Sequence, residues 1–313
     1  MKKFLTSITL FAFGVLCLLA LAEYVARACP NAYRLKDEWM QQHAPEAEVL
    51  VLGSSHAYAG IHAEQLGCCA YNLANSNQTQ RYDWLLLSRD SARLSSLRTV
   101  VYPTSSLLMN YAMEQTSEWY RCIYYHLYNQ LEDRPLWSRY AWEVASIQTC
   151  CWKVQSFFLS GSADRMCDAH GWCSYYQASD ADRLNPAELA ARLDKYDERA
   201  VLPADPQAGI NQIASLCDRR GWRLLLVGMP VSGLFADDPR GCEQLGLMDA
   251  QARALQARHA SVDYVDFSRS ADFPPAMFFD VDHLNDLGAT HLSLLLRQHL
   301  DAVADSSRVA ISQ

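Results

Sequence analysis

The stretch Glu48-Val-Leu-Val-Leu-Gly-Ser-Ser-His56 decides the fold of this 313-residue chain. Residues 49–52 form an uninterrupted apolar run, which is typical of a strand buried on both faces of a parallel sheet. Gly53 ends the run, and glycine permits a sharp turn from strand to helix because it has no Cβ. The stretch therefore predicts a buried strand whose carboxyl end carries two serines and a histidine.

Four later segments have the same character, and amphipathic helical patterns lie between them. This alternation predicts an α/β fold of the three-layer α/β/α type, with a flavodoxin-like parallel five-stranded sheet from about residue 45 onward. The five predicted strands are 48–52, 69–73, 98–102, 222–228 and 262–267, and the predicted helices are 82–94, 205–220, 249–259 and 285–304.

Residues 107–200 interrupt the alternation with a long, aromatic and mostly helical pattern. We interpret this segment as an insertion that packs as a cap over the carboxyl edge of the sheet, where open α/β sheets bind ligands. Its aromatic side chains could stack on sugar rings, or they could form the core of the insertion itself. We favour the core interpretation.

The N-terminus has the pattern of a membrane signal. Lys2 and Lys3 precede 19 uncharged residues, 4–22, which would extend about 28 Å as a helix. The pattern predicts an anchor at residues 1–23, a stalk at 24–44 and an exported domain at 45–313. A cleavable signal peptide is the alternative, with Ala20-Leu21-Ala22 as its cleavage site; the protein would then be secreted.

Composition excludes some classes of function. With a net charge of -8 and no basic clusters, the chain is a poor candidate for binding nucleic acid. Of its 11 cysteines, ten lie outside the apolar span, and this even number predicts disulfides in an exported protein. Cys167 and Cys173 could pair locally. We predict neither a metal site nor a cofactor.

Gly53-Ser54-Ser55-His56 is the first motif with chemical potential. A serine at a tight turn between strand and helix can present its hydroxyl at the sheet edge, beside the free N–H groups of the helix N-terminus. The alternative is that both serines only cap the helix. We interpret His56 as a wall or surface residue.

Asp280-Val-Asp-His283 is the second motif, and it lies between the last strand and the last helix. An aspartate three residues before a histidine can orient the imidazole, whose other nitrogen is then free to accept a proton from a serine. A solvated surface turn is the alternative. Asp282 could replace Asp280, although its position one residue from His283 makes that pairing awkward.

Together the two motifs resemble the SGNH/GDSL hydrolases across residues 45–303, without the insertion. The resemblance implies a catalytic triad of Ser55, His283 and Asp280. The N-terminal anchor and the ending Phe278-Phe-Asp-Val-Asp-His-Leu-Asn285 resemble an envelope branch that includes D-alanyl transfer and alginate O-acetylation proteins. Members of that branch work with membrane-bound O-acyltransferases, which implies such a partner here.

The resemblance also implies oxyanion-hole donors, and here the chain departs from the family. The backbone N–H of Ser55 is one donor. Asn77 stands where the family has a glycine, and Thr104 and Ser105 stand where it has an asparagine. We expect an esterase or O-acyltransferase acting on acylated glycans or other envelope esters. The alternatives are a catalytically degenerate, polymer-binding protein that assists an acyltransferase, and a lipase.

Overall fold

The computed structural model describes residues 1–67, 69–131, 142–160, 166–173, 175–177, 183–205 and 209–311. Packing divides the chain into two units, residues 1–37 with 113–166 and residues 38–112 with 167–313. The second unit contains a five-stranded sheet. Its strands are β1 (Val49–Val51), β2 (Ala70–Asn72), β3 (Thr99–Pro103), β4 (Arg223–Gly228) and β5 (Val262–Asp266).

Twelve α-helices lie within the described residues. They are α1 (Lys2–Ala28), α2 (Ala32–His43), α3 (Ser55–Gly60), α4 (Ala63–Leu66), α5 (Gln80–Asp90), α6 (Tyr120–Asn129), α7 (Ile147–Ser160), α8 (Pro186–Ala200), α9 (Ile210–Arg220), α10 (Gly233–Asp237), α11 (Pro239–Arg258) and α12 (Asp286–Ile311).

The strand order is β2-β1-β3-β4-β5, and every neighbouring pair is parallel. The direction of the winding reverses between β1 and β3, and open sheets of this type bind ligands at the carboxyl ends of the strands beside that reversal. The predicted three-layer, flavodoxin-like fold is therefore confirmed. The turn that follows β1 lies at the reversal.

Both faces of the sheet are covered. Leu50 and Val51 point to opposite faces of β1, yet each is 0% exposed. Leu50 packs in one cluster with Leu87 of α5 and Ile213 of α9. The continuous apolar pattern of β1 arises because helices remove both faces from water.

The first unit contains α1, α6 and α7. Tyr33 packs against Tyr124 and Tyr125 of α6, with ring centroids 5.2 and 4.9 Å apart. These aromatic side chains of the predicted insertion therefore belong to a packed core. The domain boundaries at residues 23, 44, 107 and 200 stay predictions.

The expected disulfides are not found, because no disulfide bond joins the described cysteines. Cys167 and Cys173 lie opposite each other in an antiparallel bridge. Cys29, Cys150 and Cys217 are buried. They occupy interior positions as small apolar side chains, as buried cysteines commonly do.

Candidate active site

The turn after β1 presents Ser55 at the carboxyl edge of the sheet. Gly53 has a φ of +113°, and a Cβ there would lie 2.7 Å from the ring of Pro103. Ser54 is the N-cap residue of α3, and its backbone N–H donates to Ser106 Oγ at 2.9 Å. Ser55 is less buried than Gly53, Ser54 and His56. The turn therefore leaves Ser55 partly exposed.

We expect Gly53→Ala to destabilise the fold more than Gly221→Ala. Gly221 also has a positive φ, +69°, but an added Cβ there would meet nothing within 4 Å. Backbone strain alone should cost about 1–2 kcal/mol at Gly221, and overpacking should add about 1–3 kcal/mol at Gly53. Urea denaturation of both variants measures the difference. Equal losses would show that the close approach at Gly53 has no energetic effect.

The buried carboxyl group of Asp83 holds the turn after β1 through hydrogen bonds. Asp83 Oδ1 accepts hydrogen bonds from the Gly53 N–H at 2.8 Å and from Gln78 Nε2 at 2.6 Å. Its Oδ2 accepts from the Tyr102 hydroxyl at 3.0 Å. Burial raises the pKa of Asp83 to about 7, although the three hydrogen bonds oppose that shift. Asp83 thereby connects the β1 turn, the loop around Asn77 and the end of β3.

Ser55, His283 and Asp280 lie in line. Ser55 Oγ is 2.8 Å from His283 Nε2, and His283 Nδ1 is 3.0 Å from both carboxylate oxygens of Asp280. Asp280 Oδ1 also accepts the backbone N–H groups of Asp282 and His283, at 3.1 and 2.8 Å. The Asp280 carboxylate is thus held by its own turn in the position that orients the imidazole.

A second carboxylate approaches the same imidazole. Asp282 Oδ1 lies 3.1 Å from His283 Nδ1, without hydrogen-bond geometry. Asp282 Oδ2 accepts from the Tyr196 hydroxyl at 3.1 Å and lies 3.2 Å from His56 Nε2. The His56 ring stacks on the His283 ring, with centroids 4.3 Å apart and planes at 14°. His56 is therefore a buried residue in the wall of the site, which is one of the two interpretations given from the sequence; the other, a surface residue, does not hold.

Helix α8 brings a cation to the two carboxylates. Arg192 Nη2 donates to Asp280 Oδ2 at 2.8 Å, and its Nε lies 3.0 Å from Asp282 Oδ1. Like charges this close repel each other. The guanidinium of Arg192 contacts both carboxylates and offsets that repulsion.

One face of α8 serves two parts of the site. Arg192, Tyr196 and Arg199 are spaced four and three residues apart, which places them on one side of a helix. Arg192 and Tyr196 contact the Asp280–His283 turn. Arg199 Nη2 donates to Asn77 Oδ1 at 2.7 Å. Asn77 has a φ of +54°, a backbone conformation that is uncommon for a residue other than glycine. The hydrogen bond from Arg199 therefore stabilises a residue in an unusual conformation.

The remaining predicted oxyanion donors lie after β3. Thr104 and Ser105 open a 3-10 helix, Thr104–Leu108, and both are buried. They line a cavity of about 10 Å³ together with His56 and Tyr196, which is room for roughly one water molecule. Within the described residues, Ser105 Oγ and His56 Nδ1 have no hydrogen-bond partner. The roles of Asn77, Thr104 and Ser105 in an oxyanion hole stay predictions.

Electrostatics distinguish the two histidines. Burial lowers the pKa of His283, but the carboxylates of Asp280 and Asp282 outweigh it and raise that pKa above its usual value. The pKa of His56 is lowered by burial and by the nearby His283. Burial disfavours ionised Asp282, but Arg192 and the histidines hold its pKa well below the usual range. The stronger base is thus the histidine that contacts Ser55.

These charges predict opposite pH shifts in two variants. Asp282→Asn removes a negative charge beside His283 and should lower its pKa, so the acid limb of kcat/KM would move to lower pH for any reaction in which His283 is the base. Arg192→Gln removes a positive charge and should move the limb to higher pH. Arg253→Gln is the control, because Arg253 is exposed and pairs with Asp249. Shifts in the same direction would contradict this electrostatic account.

His56, Asp282 and His283 could also hold a metal ion, since one ligand atom from each lies within 4.8 Å of the others. Arg192 Nε lies 3.0 Å from Asp282 Oδ1. A bound cation would have to share this carboxylate with the guanidinium. The hydrogen bonds and ion contacts therefore fit proton transfer better than metal ligation.

No protein-family model matches the chain, and no curated protein matches it. Among solved structures, the chain is similar to a protein from Streptococcus pneumonia provisionally described as a platelet activating factor. The two sequences are 11% identical, the structural alignment covers 94% of this chain and 98% of the other, and the TM-score is 0.41. A second similar structure is a provisionally described acylhydrolase from Bacteroides fragilis. It is 12% identical, the alignment covers 85% of this chain and 95% of the other, and the TM-score is 0.39.

Arg192, Tyr196 and Arg199 were missed from the sequence, because they lie in the predicted insertion and belong to no motif. Their helical spacing was the available signal, but the same spacing also suits an ordinary surface helix. Asp282 was considered only as a substitute for Asp280. The structure places both carboxylates near His283.

Proposed function

We propose that this protein is a serine-dependent acyl hydrolase or acyltransferase. The observation that supports the proposal is the 2.8 Å contact between Ser55 Oγ and His283 Nε2, with Asp280 on the other imidazole nitrogen. Within that class we infer an SGNH-type enzyme that α1 holds in a membrane, with its catalytic domain outside the cytoplasm. Its substrates are acyl esters of cell-envelope glycans.

In the proposed mechanism, Ser55 Oγ attacks the ester carbonyl carbon while His283 Nε2 takes the hydroxyl proton. Asp280 keeps the remaining imidazole proton on Nδ1 and stabilises the imidazolium. The tetrahedral intermediate collapses, and the departing alkoxide takes the proton from His283 as it leaves. Water or a sugar hydroxyl then attacks the acyl-Ser55 ester, His283 again accepts the proton, and Ser55 is regenerated by protonation from His283.

The oxyanion in this mechanism needs hydrogen-bond donors beside Ser55. We assign the Ser55 backbone N–H, the Asn77 backbone N–H and the hydroxyl of Thr104 or Ser105 to this role. The hydrogen bond from Arg199 supports the assignment of Asn77, because it holds the side chain of that residue while the backbone N–H remains available. Arg199 is thus a positioning residue in the proposal.

The acceptor decides between hydrolysis and transfer. A membrane-bound O-acyltransferase would supply the acyl group in the transfer reaction, and the acceptor would be a hydroxyl of an envelope polysaccharide. In the hydrolytic reaction water replaces that hydroxyl. Parallel assays with short-chain nitrophenyl esters, acetylated xylan and acetylated chitosan oligomers would separate glycan esters from general esters.

A fluorophosphonate probe tests the proposed nucleophile directly. The full-length protein is labelled in detergent, digested and analysed by mass spectrometry. We expect the label on the peptide that contains Ser55, and heat-denatured protein is the control for nonspecific labelling. If the label is found elsewhere, Ser55 is not the nucleophile. Absent labelling together with absent ester turnover would favour the polymer-binding alternative.

A further inference from the structure

Helix α7, in the first unit, has an outer face without charge. Its sequence contains one charged residue, Lys153, and that side chain points inward. Lys153 forms a buried ion pair with Glu143, and its Nζ donates to the Tyr128 hydroxyl at 3.3 Å. The same ammonium lies 5.4 Å from the centroid of the Tyr124 ring. The one charged side chain of α7 therefore makes its contacts inside the unit.

The outer face of α7 is mostly apolar. At about 100° per residue, its exposed side chains occupy an arc of about 140°. Four of them are large hydrophobic residues, and exposed patches of this kind mark interaction sites. They are Ile147 (65% exposed), Trp152 (46%), Phe158 (70%) and Leu159 (78%), with Gln148, Cys151 and Gln155 as the other exposed residues.

Helix α7 follows directly on a segment that contacts the end of the apolar helix α1. Among the described helices, α1 is the one long and apolar enough to cross a membrane. At 27 residues it measures about 40 Å, longer than the roughly 30 Å hydrocarbon core, so its last turns would reach the headgroup region. In those turns Glu23 is buried and accepts the Val144 N–H at 3.0 Å. Helix α7 begins three residues after Val144.

We infer that α7 lies in the membrane interface, with this outer face in contact with lipid. The helix is about 21 Å long, too short to cross the bilayer, but suited to lie in its plane. Aromatic side chains such as Trp152 prefer the boundary between headgroups and acyl chains. Helices α1 and α7 are in contact, so a bilayer that α1 crosses would lie close to α7. Lipid is therefore the occupant that the position of α7 favours over a protein partner.

Quenching by brominated lipid tests the inference on the full chain. The protein is reconstituted into vesicles of phosphatidylcholine and phosphatidylglycerol, with bromine near the carbonyl end or the methyl end of the acyl chains. We expect Trp152→Phe to remove a large share of the tryptophan quenching, chiefly that by bromine near the carbonyl end. Trp222→Phe is the matched control, because Trp222 is buried beside the sheet and should not contribute.

Flotation of the same vesicles reports whether the protein is membrane-bound. If it floats but Trp152→Phe leaves quenching unchanged, α7 is not in lipid and its face is more suitable for a protein partner. Failure to float also contradicts the inference. If Trp152→Phe does not fold, Phe158→Trp adds a reporter to the same face and should increase quenching. None of these readouts depends on the proposed esterase activity.

Discussion

Ser55→Ala is expected to lower the turnover of an acyl ester by about four to six orders of magnitude. In the proposed mechanism the loss is this large because His283 then has no hydroxyl to deprotonate, and no acyl-enzyme can form. The fold should be unaffected, since Ser55 Oγ contacts His283 Nε2 but no backbone group in the β1 turn. Initial rates with a short-chain ester, measured at high enzyme concentration, provide the readout.

Ser54→Ala is the matched control for this variant. Ser54 is the preceding residue on the same turn, but its hydroxyl accepts a hydrogen bond from Ser106 Oγ at 3.3 Å and does not contact His283. We expect the activity of this variant to fall by no more than about tenfold. That factor corresponds to losing a hydrogen bond that stabilises by about 1.4 kcal/mol. Comparable losses in both variants would mean that the turn, and not the Ser55 nucleophile, controls the rate.

Asp280→Asn is expected to lower kcat by about 10⁴-fold with an unchanged fold. An asparagine amide of the same shape can present its NH₂ group to His283 Nδ1, which favours the tautomer with the proton on Nε2. That tautomer cannot accept the Ser55 proton. The hydrogen bonds from the backbone N–H groups of residues 282 and 283 can persist on the remaining amide oxygen. Steady-state kinetics with circular dichroism separate catalytic loss from unfolding.

Asp282→Asn distinguishes the two carboxylates. Asp282 approaches His283 Nδ1 at 3.1 Å without hydrogen-bond geometry, so we expect its loss to reduce kcat by only about 10–100-fold, in the range of an outer support group. If the ranking were reversed, Asp282 would be the orienting carboxylate. Asp280 would then hold the turn through its backbone hydrogen bonds.

The fold could be predicted from the sequence because its strands are buried on both faces. An uninterrupted apolar run that ends at a glycine, as at Val49–Val51 and Gly53, leaves few alternatives to a parallel sheet. Strand order also agrees with the prediction of a flavodoxin-like sheet. The first unit was not predicted, since packing between residues 1–37 and 113–166 depends on long-range contacts that local patterns do not encode.

The part of the candidate site that depends on residues close together in the sequence could be predicted. Asp280 and His283 share one turn, so three residues of separation were enough to suggest their contact. The sequence left open whether His56 lies in the wall of the site or on the surface, because neighbouring residues on a turn usually point apart. Here the Asp280–His283 turn crosses the start of α3, so Ser55 and His56 both reach it. Arg192 is 88 residues from Asp280, and no local rule joins them.

Arg192, Tyr196 and Arg199 lie on one face of α8, so all of their contacts with the site depend on the register of that helix. Deleting one residue before Arg192 would rotate all three side chains by about 100° about the helix axis. The ion pairs of Arg192 with Asp280 and Asp282 and the contact of Arg199 with Asn77 would be lost together, although they belong to different parts of the site. A change in the length of α8 ahead of Arg192 is therefore expected to disturb both parts of the site at once, whereas a substitution at Arg199 alone would leave the contacts of Arg192 in place.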